Sequence, residues 1–193
     1  FAKVSQLKLA VVKEIRDYVG GGGFMFAMCS ATDSYDIALA AEGVDICAEV
    51  FDGDAQDPQA QSKLDFSKCF AFKDFKLVTN PMEYEFSTID HRERNVIPER
   101  DYFTLFNFSA KWDPIPTMLT QCHTTTVKGF MGQTTAFDKN YIKSDVLILG
   151  ENKPEHEVRY IHSTFGFGTW TFYGGHDPEH CRHYVTDPDT DLN

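Results

Sequence analysis

The sequence is short of the features that assign a chain quickly. No apolar stretch among its 193 residues approaches the roughly 20 that a helix needs to cross a bilayer. Basic side chains are few: 18 Lys and Arg stand against 29 Asp and Glu, a formal net charge of -11. Binding a phosphate backbone requires a basic face, so this balance argues against nucleic acid and anionic membranes as partners. The five cysteines (Cys29, Cys47, Cys69, Cys122, Cys181) are odd in number and share no short spacing, which fits neither a disulfide framework nor a zinc ribbon. No internal repeat, low-complexity tract or linker divides the chain, and residues 1–193 read as one domain. Gly129-Phe130-Met131-Gly132-Gln133 lacks the glycine spacing and the Lys of a phosphate loop.

Aromatic carbon is abundant instead. Seventeen phenylalanines help bring aromatics to 14% of residues, which implies a thick core and an aromatic-walled pocket. From Val4 to Val19, Leu7, Val11, Ile15 and Tyr18 recur at helical spacing, while Lys3, Lys13, Arg16 and Asp17 fill the other face. Gly20 to Gly23 stop that helix. Phe24 to Met28 is wholly apolar, the mark of a strand buried on both faces of a parallel sheet. Thr32 to Ala41 reads as a second helix ending at Gly43. This order of elements is the unit of a doubly wound α/β fold with a mostly parallel sheet. Farther along, Asp52 to Lys63 reads as a polar surface loop, Cys69 to Val78 alternates like an exposed strand, and Ile89 to Arg100 reads as a charged loop. Asp145 to Leu149 reads as a second buried strand. Val158 to His162 and Thr169 to Tyr173 flank Phe165-Gly166-Phe167-Gly168 as a hairpin.

The segment Ala27-Met28-Cys29-Ser30-Ala31 falls where strand gives way to helix. A nucleophile elbow needs small residues two before and two after its reactive side chain, because the backbone there is crowded; Ala27 and Ala31 meet that need. A helix N-terminus aimed at the sulfur favours thiolate, and its amides can hold an oxyanion. Cys29 is therefore the candidate nucleophile, with Gly23, Ser30 and Asp33 as candidate substrate-binding residues. The plainer alternative is a buried thiol in an apolar strand.

A thiolate acting on an amide or ester needs a general acid/base, usually His, oriented by a carboxylate. Trp170-Thr171-Phe172-Tyr173 is a strand pattern, and Gly174-Gly175 turns the chain into His176-Asp177-Pro178-Glu179. His176 at a strand's C-terminal end is placed where open α/β folds build their sites, with Glu179 or Asp177 to hold the imidazole. Asp177-Pro178-Glu179 equally suits a helix start.

Gly-Gly-His-Asp-Pro-Glu after a strand resembles the His-Pro-Glu signature of class I glutamine amidotransferases, with one residue inserted. Gly166-Phe167-Gly168-Thr169-Trp170 resembles their glycine turn and closing strand. Gly21-Gly22-Gly23-Phe24 through Ser30-Ala31-Thr32-Asp33-Ser34 resembles the ThuA-like branch of that superfamily, which carries His where this chain has Cys29. The chain is also similar to bacterial proteins commonly labelled asparagine synthetase B, although it has no nucleotide loop to match that label. The resemblance covers both ends and hardly the middle. It implies a flavodoxin-like sheet with a nucleophile elbow, and a first part of the fold upstream of Phe1. It implies Cys29 as nucleophile, His176 as base and Glu179 as orienter, and it leans towards an exported, periplasmic setting, with a cytoplasmic one as the alternative.

The reading at this level is a cysteine-dependent amidohydrolase or amidotransferase-like protein acting on a small amide or sugar-derived compound. The competing class is a binding or scaffold protein that kept the fold and lost turnover. No cofactor is implied. Partners are a small molecule or another protein, and an oligomer is compatible with the composition. His176 and His180 are four apart and His183 and Cys181 lie close by, as a zinc helix would have them, but no third ligand is identifiable and Asp177-Pro178 marks a helix start between them, so no metal is assigned. Cys122-His123 point to opposite faces of any strand and read as structural. Trp112-Asp113-Pro114-Ile115-Pro116 reads as a rigid loop.

Overall fold

The computed structural model describes residues 1, 3–83, 85–90, 102–105, 126–128, 136–153 and 156–175. Helix α1 (Val4–Gly20) ends where Gly22 adopts φ +112 and the amides of Gly22 and Gly23 fold back onto the carbonyls of Val19 and Tyr18 at 2.9 and 3.0 Å. That turn feeds strand β1 (Phe24–Met28), and one residue later helix α2 (Ser30–Ala40) begins. The polar stretch expected to be a loop from Asp52 to Lys63 begins as the short helix α3 (Glu49–Asp52) ends, and its last residues form α4 (Ala60–Lys63).

Among the described residues the sheet has seven strands. To β1 it adds β2 (Tyr102–Leu105), β3 (Thr126–Lys128), β4 (Phe137–Asp138), β5 (Leu147–Asn152), β6 (Glu157–Phe165) and β7 (Gly168–Tyr173). The order is β1-β7-β6-β5-β2-β3, with β4 pairing β6 beyond the end of β7. Among these described strands only β1 and β7 run parallel; the other pairings are antiparallel. The chain is thus mixed α/β with a mostly antiparallel open sheet, which corrects the expectation of a mostly parallel one. The reason is loop length. A parallel neighbour needs a crossover of about a dozen residues or more, and β5, β6 and β7 follow one another too closely for that. The β6–β7 hairpin turns on Gly166 and Phe167, with Gly166 at φ +59 in the first turn position where type II′ hairpins take glycine.

Two other expectations are corrected. Among the described strands β1 lies at the edge, and Met25 and Ala27 face the core while Phe24, Phe26 and Met28 are exposed. On α1 the core takes Val12, Val19 and, of the expected stripe, the partly buried Ile15, leaving Leu7, Val11 and Tyr18 exposed.

The stretch from Cys69 to Val78 makes isolated bridges and no strand, and Cys69, Phe70, Ala71, Phe72 and Phe75 are buried. Its backbone is satisfied by a side chain: buried Asp36 of α2 accepts the amides of Phe70, Ala71 and Phe72 at 2.8, 2.7 and 2.8 Å. The core forms where this segment, α1 and α2 meet one face of β1, β7 and β6. Phe70 stacks on Phe165 at 4.4 Å, Trp170 lies 4.7 Å from Phe172, and Phe72 lies 5.1 Å from Phe137. Among the described residues no helix is long and apolar enough to cross a membrane.

Tyr35 supplies a test of this core. Its ring meets Phe70 edge-on at 5.1 Å, and burial pushes its phenol up. Its hydroxyl has no hydrogen-bond partner among the described residues. An unmade bond contributes nothing, so Tyr35→Phe should hold stability within about 0.5 kcal/mol or raise it. Chemical denaturation decides this; a loss above about 1.5 kcal/mol would mean the hydroxyl is bonded.

Candidate functional site

Cys29 stands alone between β1 and α2, half-buried, at φ 57 and ψ -140. Non-glycine residues seldom occupy positive φ, and holding one there costs on the order of 1–3 kcal/mol. The neighbouring structure holds it from both sides. The Cys29 amide donates to the carbonyl of Tyr173 at 3.2 Å, extending the β1–β7 ladder by one bond. The Cys29 carbonyl accepts from the Thr32 amide at 3.1 Å and the Thr32 hydroxyl at 2.7 Å. Thr32 is fully buried, and its bond to the Cys29 carbonyl is part-buried. Neither Thr32 nor Tyr173 was legible as a partner of Cys29. Thr32 carries a weak signal, a hydroxyl three residues into a helix start, whereas Tyr173 is brought in only by the parallel pairing.

Ser30 is half-buried and opens α2, its carbonyl accepting from the Ser34 hydroxyl at 2.5 Å. Asp33 is buried in the same first turn, and its carboxylate accepts the Ser34 amide at 2.8 Å. Ser30 and Asp33 therefore share the helix start with Cys29. Gly23 does not. It precedes β1, at the opposite end of a strand about 16 Å long. Its own role is packing, since a Cβ there would run into the Tyr18 ring.

The β7 side of this end is aromatic. Tyr173 packs against Tyr160 at 5.2 Å, and against Phe26 and Phe103 at 6.2 Å each. Burial pushes the Tyr160 phenol up to about 12. The Gly174 amide donates to the Arg159 carbonyl at 2.7 Å. Arg159 is fully buried, 2.9 Å from the Glu157 carboxylate and 5.8 Å from the centre of the Phe103 ring. Charges so far from water persist only when matched, and Glu157 matches this one. Nothing in the sequence separated this pair from surface charge.

A cleft of about 210 Å³ lined by residues such as Lys3, Leu9, Ala41 and Asp45 lies at the far end of α2 and contains none of the expected site residues. Among the described residues no group of three His, Cys, Asp or Glu could hold a metal ion. His176 and Glu179, with Asp177, His180, Cys181 and His183, lie outside the described residues, as do Cys122-His123, Trp112 to Pro116 and Gly129 to Gln133. In the sequence His176 stands three residues after Tyr173. No protein-family model matches the chain, and neither a curated protein nor a solved structure is significantly similar to it.

Proposed function

We propose that the protein is a cysteine-dependent amidohydrolase or amidotransferase-like enzyme acting on a small amide or sugar-derived compound. The observation that carries this is the backbone of Cys29. A non-glycine residue at φ 57 on a one-residue strand-to-helix junction is the arrangement a nucleophile elbow requires. Cys29 stands at the end of the parallel strand pair, where α/β proteins collect their catalytic groups. Attack by the Cys29 sulfur on an amide carbonyl would form a tetrahedral oxyanion beside the first amides of α2, and His176 would pass a proton to the departing amine. Glu179 would orient that imidazole. The finer fold assignment, a flavodoxin-like sheet with a true elbow, belongs to the same proposal.

The test is selective alkylation. Burial, with the Asp36 charge second, pushes the Cys69 thiol up; burial, with the Asp52 charge second, does the same to Cys47. Brief iodoacetamide treatment at neutral pH followed by peptide mapping should label Cys29 at least about tenfold faster than either. His176→Ala should slow that labelling without lowering the melting temperature. Uniform labelling, or Cys29 reacting last, overturns the proposal.

A further inference from the structure

Three hydrogen bonds hold Cys29 at φ 57 and ψ -140, and they differ in what a substitution can remove. The Cys29 amide donates to the Tyr173 carbonyl, and the Cys29 carbonyl accepts from both the amide and the hydroxyl of Thr32. With its N–H tied to β7 and its C=O tied to α2, Cys29 has both torsions set by its neighbours. Two of these three bonds join backbone to backbone and form with any side chain. The third needs a hydroxyl at position 32. Thr32 is fully buried, and a buried hydroxyl without a partner carries a penalty of the same order as a non-glycine residue at positive φ. To relax, Cys29 must swing its carbonyl away from the Thr32 hydroxyl, so relief of one penalty incurs the other. A similar bond two residues on, from the Ser34 hydroxyl to the Ser30 carbonyl, lacks that leverage. Ser34 is exposed, so water replaces its bond at little cost.

The geometry points to Thr32 as the positioning residue of the junction, the side chain that keeps Cys29 in its strained backbone conformation. This rests on the reading of Cys29 as a nucleophile, and it adds a residue that acts through the Cys29 carbonyl and not at the sulfur. The hydroxyl alone makes the bond, so serine can serve at position 32. Valine has the shape of threonine and keeps the backbone bond to the Cys29 carbonyl, but it has nothing to donate from its side chain. Thr32→Val therefore removes the clamp and little else.

Two measurements on Thr32→Val, Thr32→Ser and Ser34→Ala decide this. Amide hydrogen exchange reads the backbone. In Thr32→Val the Cys29 amide should gain about tenfold in exchange rate over any change at the Phe70 and Phe72 amides held by Asp36, the factor one ordinary hydrogen bond is worth. A merely structural loss would speed all three alike. Iodoacetamide labelling reads the thiol, and Cys29 should react about tenfold more slowly in Thr32→Val. Thr32→Ser and Ser34→Ala should stay within about twofold of wild type in both measurements. Should valine at position 32 prevent folding, Thr32→Ala carries the same expectations. A Cys29 amide that gains nothing over Phe70 and Phe72, or a Thr32→Ser protein that behaves like Thr32→Val, overturns the clamp. Wild-type labelling tests the reading beneath it: Cys29 reacting no faster than Cys47 and Cys69 removes the nucleophile, and amide exchange then decides the clamp by itself.

Discussion

Gly168→Ala should destabilise the protein by at least about 3 kcal/mol, the range reached when a core is overpacked and cannot relax. A Cβ at Gly168 would come well under 3.0 Å from the carbonyl oxygens of Val19 and Gly23, and 3.0 Å from the Gly23 nitrogen. All three are backbone atoms, so no side-chain rotation relieves the clash. The backbone itself is pinned: Phe167 donates to the Gly20 carbonyl at 3.0 Å and Thr169 to the Gly23 carbonyl at 3.1 Å. Gly166 is confined likewise, its would-be Cβ 2.6 Å from the Gly20 oxygen. The glycines of the α1–β1 turn and those of the β6–β7 hairpin are thus two halves of one contact, where backbone meets backbone. Gly43→Ala is the control. Gly43 also has a positive φ, +79, but nothing lies within 4 Å of its would-be Cβ, so that change should cost only about 1 kcal/mol. Denaturation curves of the two variants separate steric exclusion from backbone preference. A Gly168→Ala protein within about 1 kcal/mol of wild type would contradict the contact.

The parts of this fold legible in the sequence are those fixed by neighbours along the chain. Helical spacing from Val4 and the glycine run after it give α1 and its end; Phe24 to Met28 gives β1; the Gly-Phe-Gly tip gives the β6–β7 hairpin. What escaped depends on which surfaces meet. An apolar five-residue run reads the same at the centre of a sheet and at its edge, so the exposure of Phe26 had no local signal. Leu7, Val11 and Tyr18 form as regular a stripe as any buried one, yet Val12 and Val19 took the core. Cys69 to Val78 has a strand's alternation, but its amides go to Asp36, more than thirty residues earlier. At the candidate site, the place of Cys29 at a strand-to-helix junction was readable from Ala27 and Ala31. Gly23 is six positions from Cys29 in the sequence, but most of that interval is extended strand, which holds the two apart.

Asp36→Ala should be the other severe change, because it strips the partner from three buried amides at once. Each unsatisfied buried donor costs about 1–3 kcal/mol. A loss of at least about 4 kcal/mol at pH 7 is therefore expected, a large share of the 5–15 kcal/mol of an ordinary domain. Asp36→Asn should lose less, since its one carbonyl oxygen can still take the Ala71 and Phe72 amides that now share Oδ2, leaving only the Phe70 amide opposed to an NH₂ group. The pH dependence has a definite sign. Burial raises the Asp36 carboxyl from 3.8 to about 6, against the pull of the three amides and of nearby Lys143. Between those values the folded protein keeps a proton that the unfolded chain has released. The contribution of Asp36 is then fully present below pH 3.8 and declines as pH rises to 6, by on the order of 3 kcal/mol. The stability gap between wild type and Asp36→Ala should therefore be widest near pH 4 and narrow towards pH 7, and taking the difference cancels every other titrating group. Urea titrations of both proteins at the two pH values measure it, with Asp36→Asn in place of Asp36→Ala if the latter does not fold. A gap that widens with rising pH would show instead that the three amides outweigh burial and hold the carboxylate ionised.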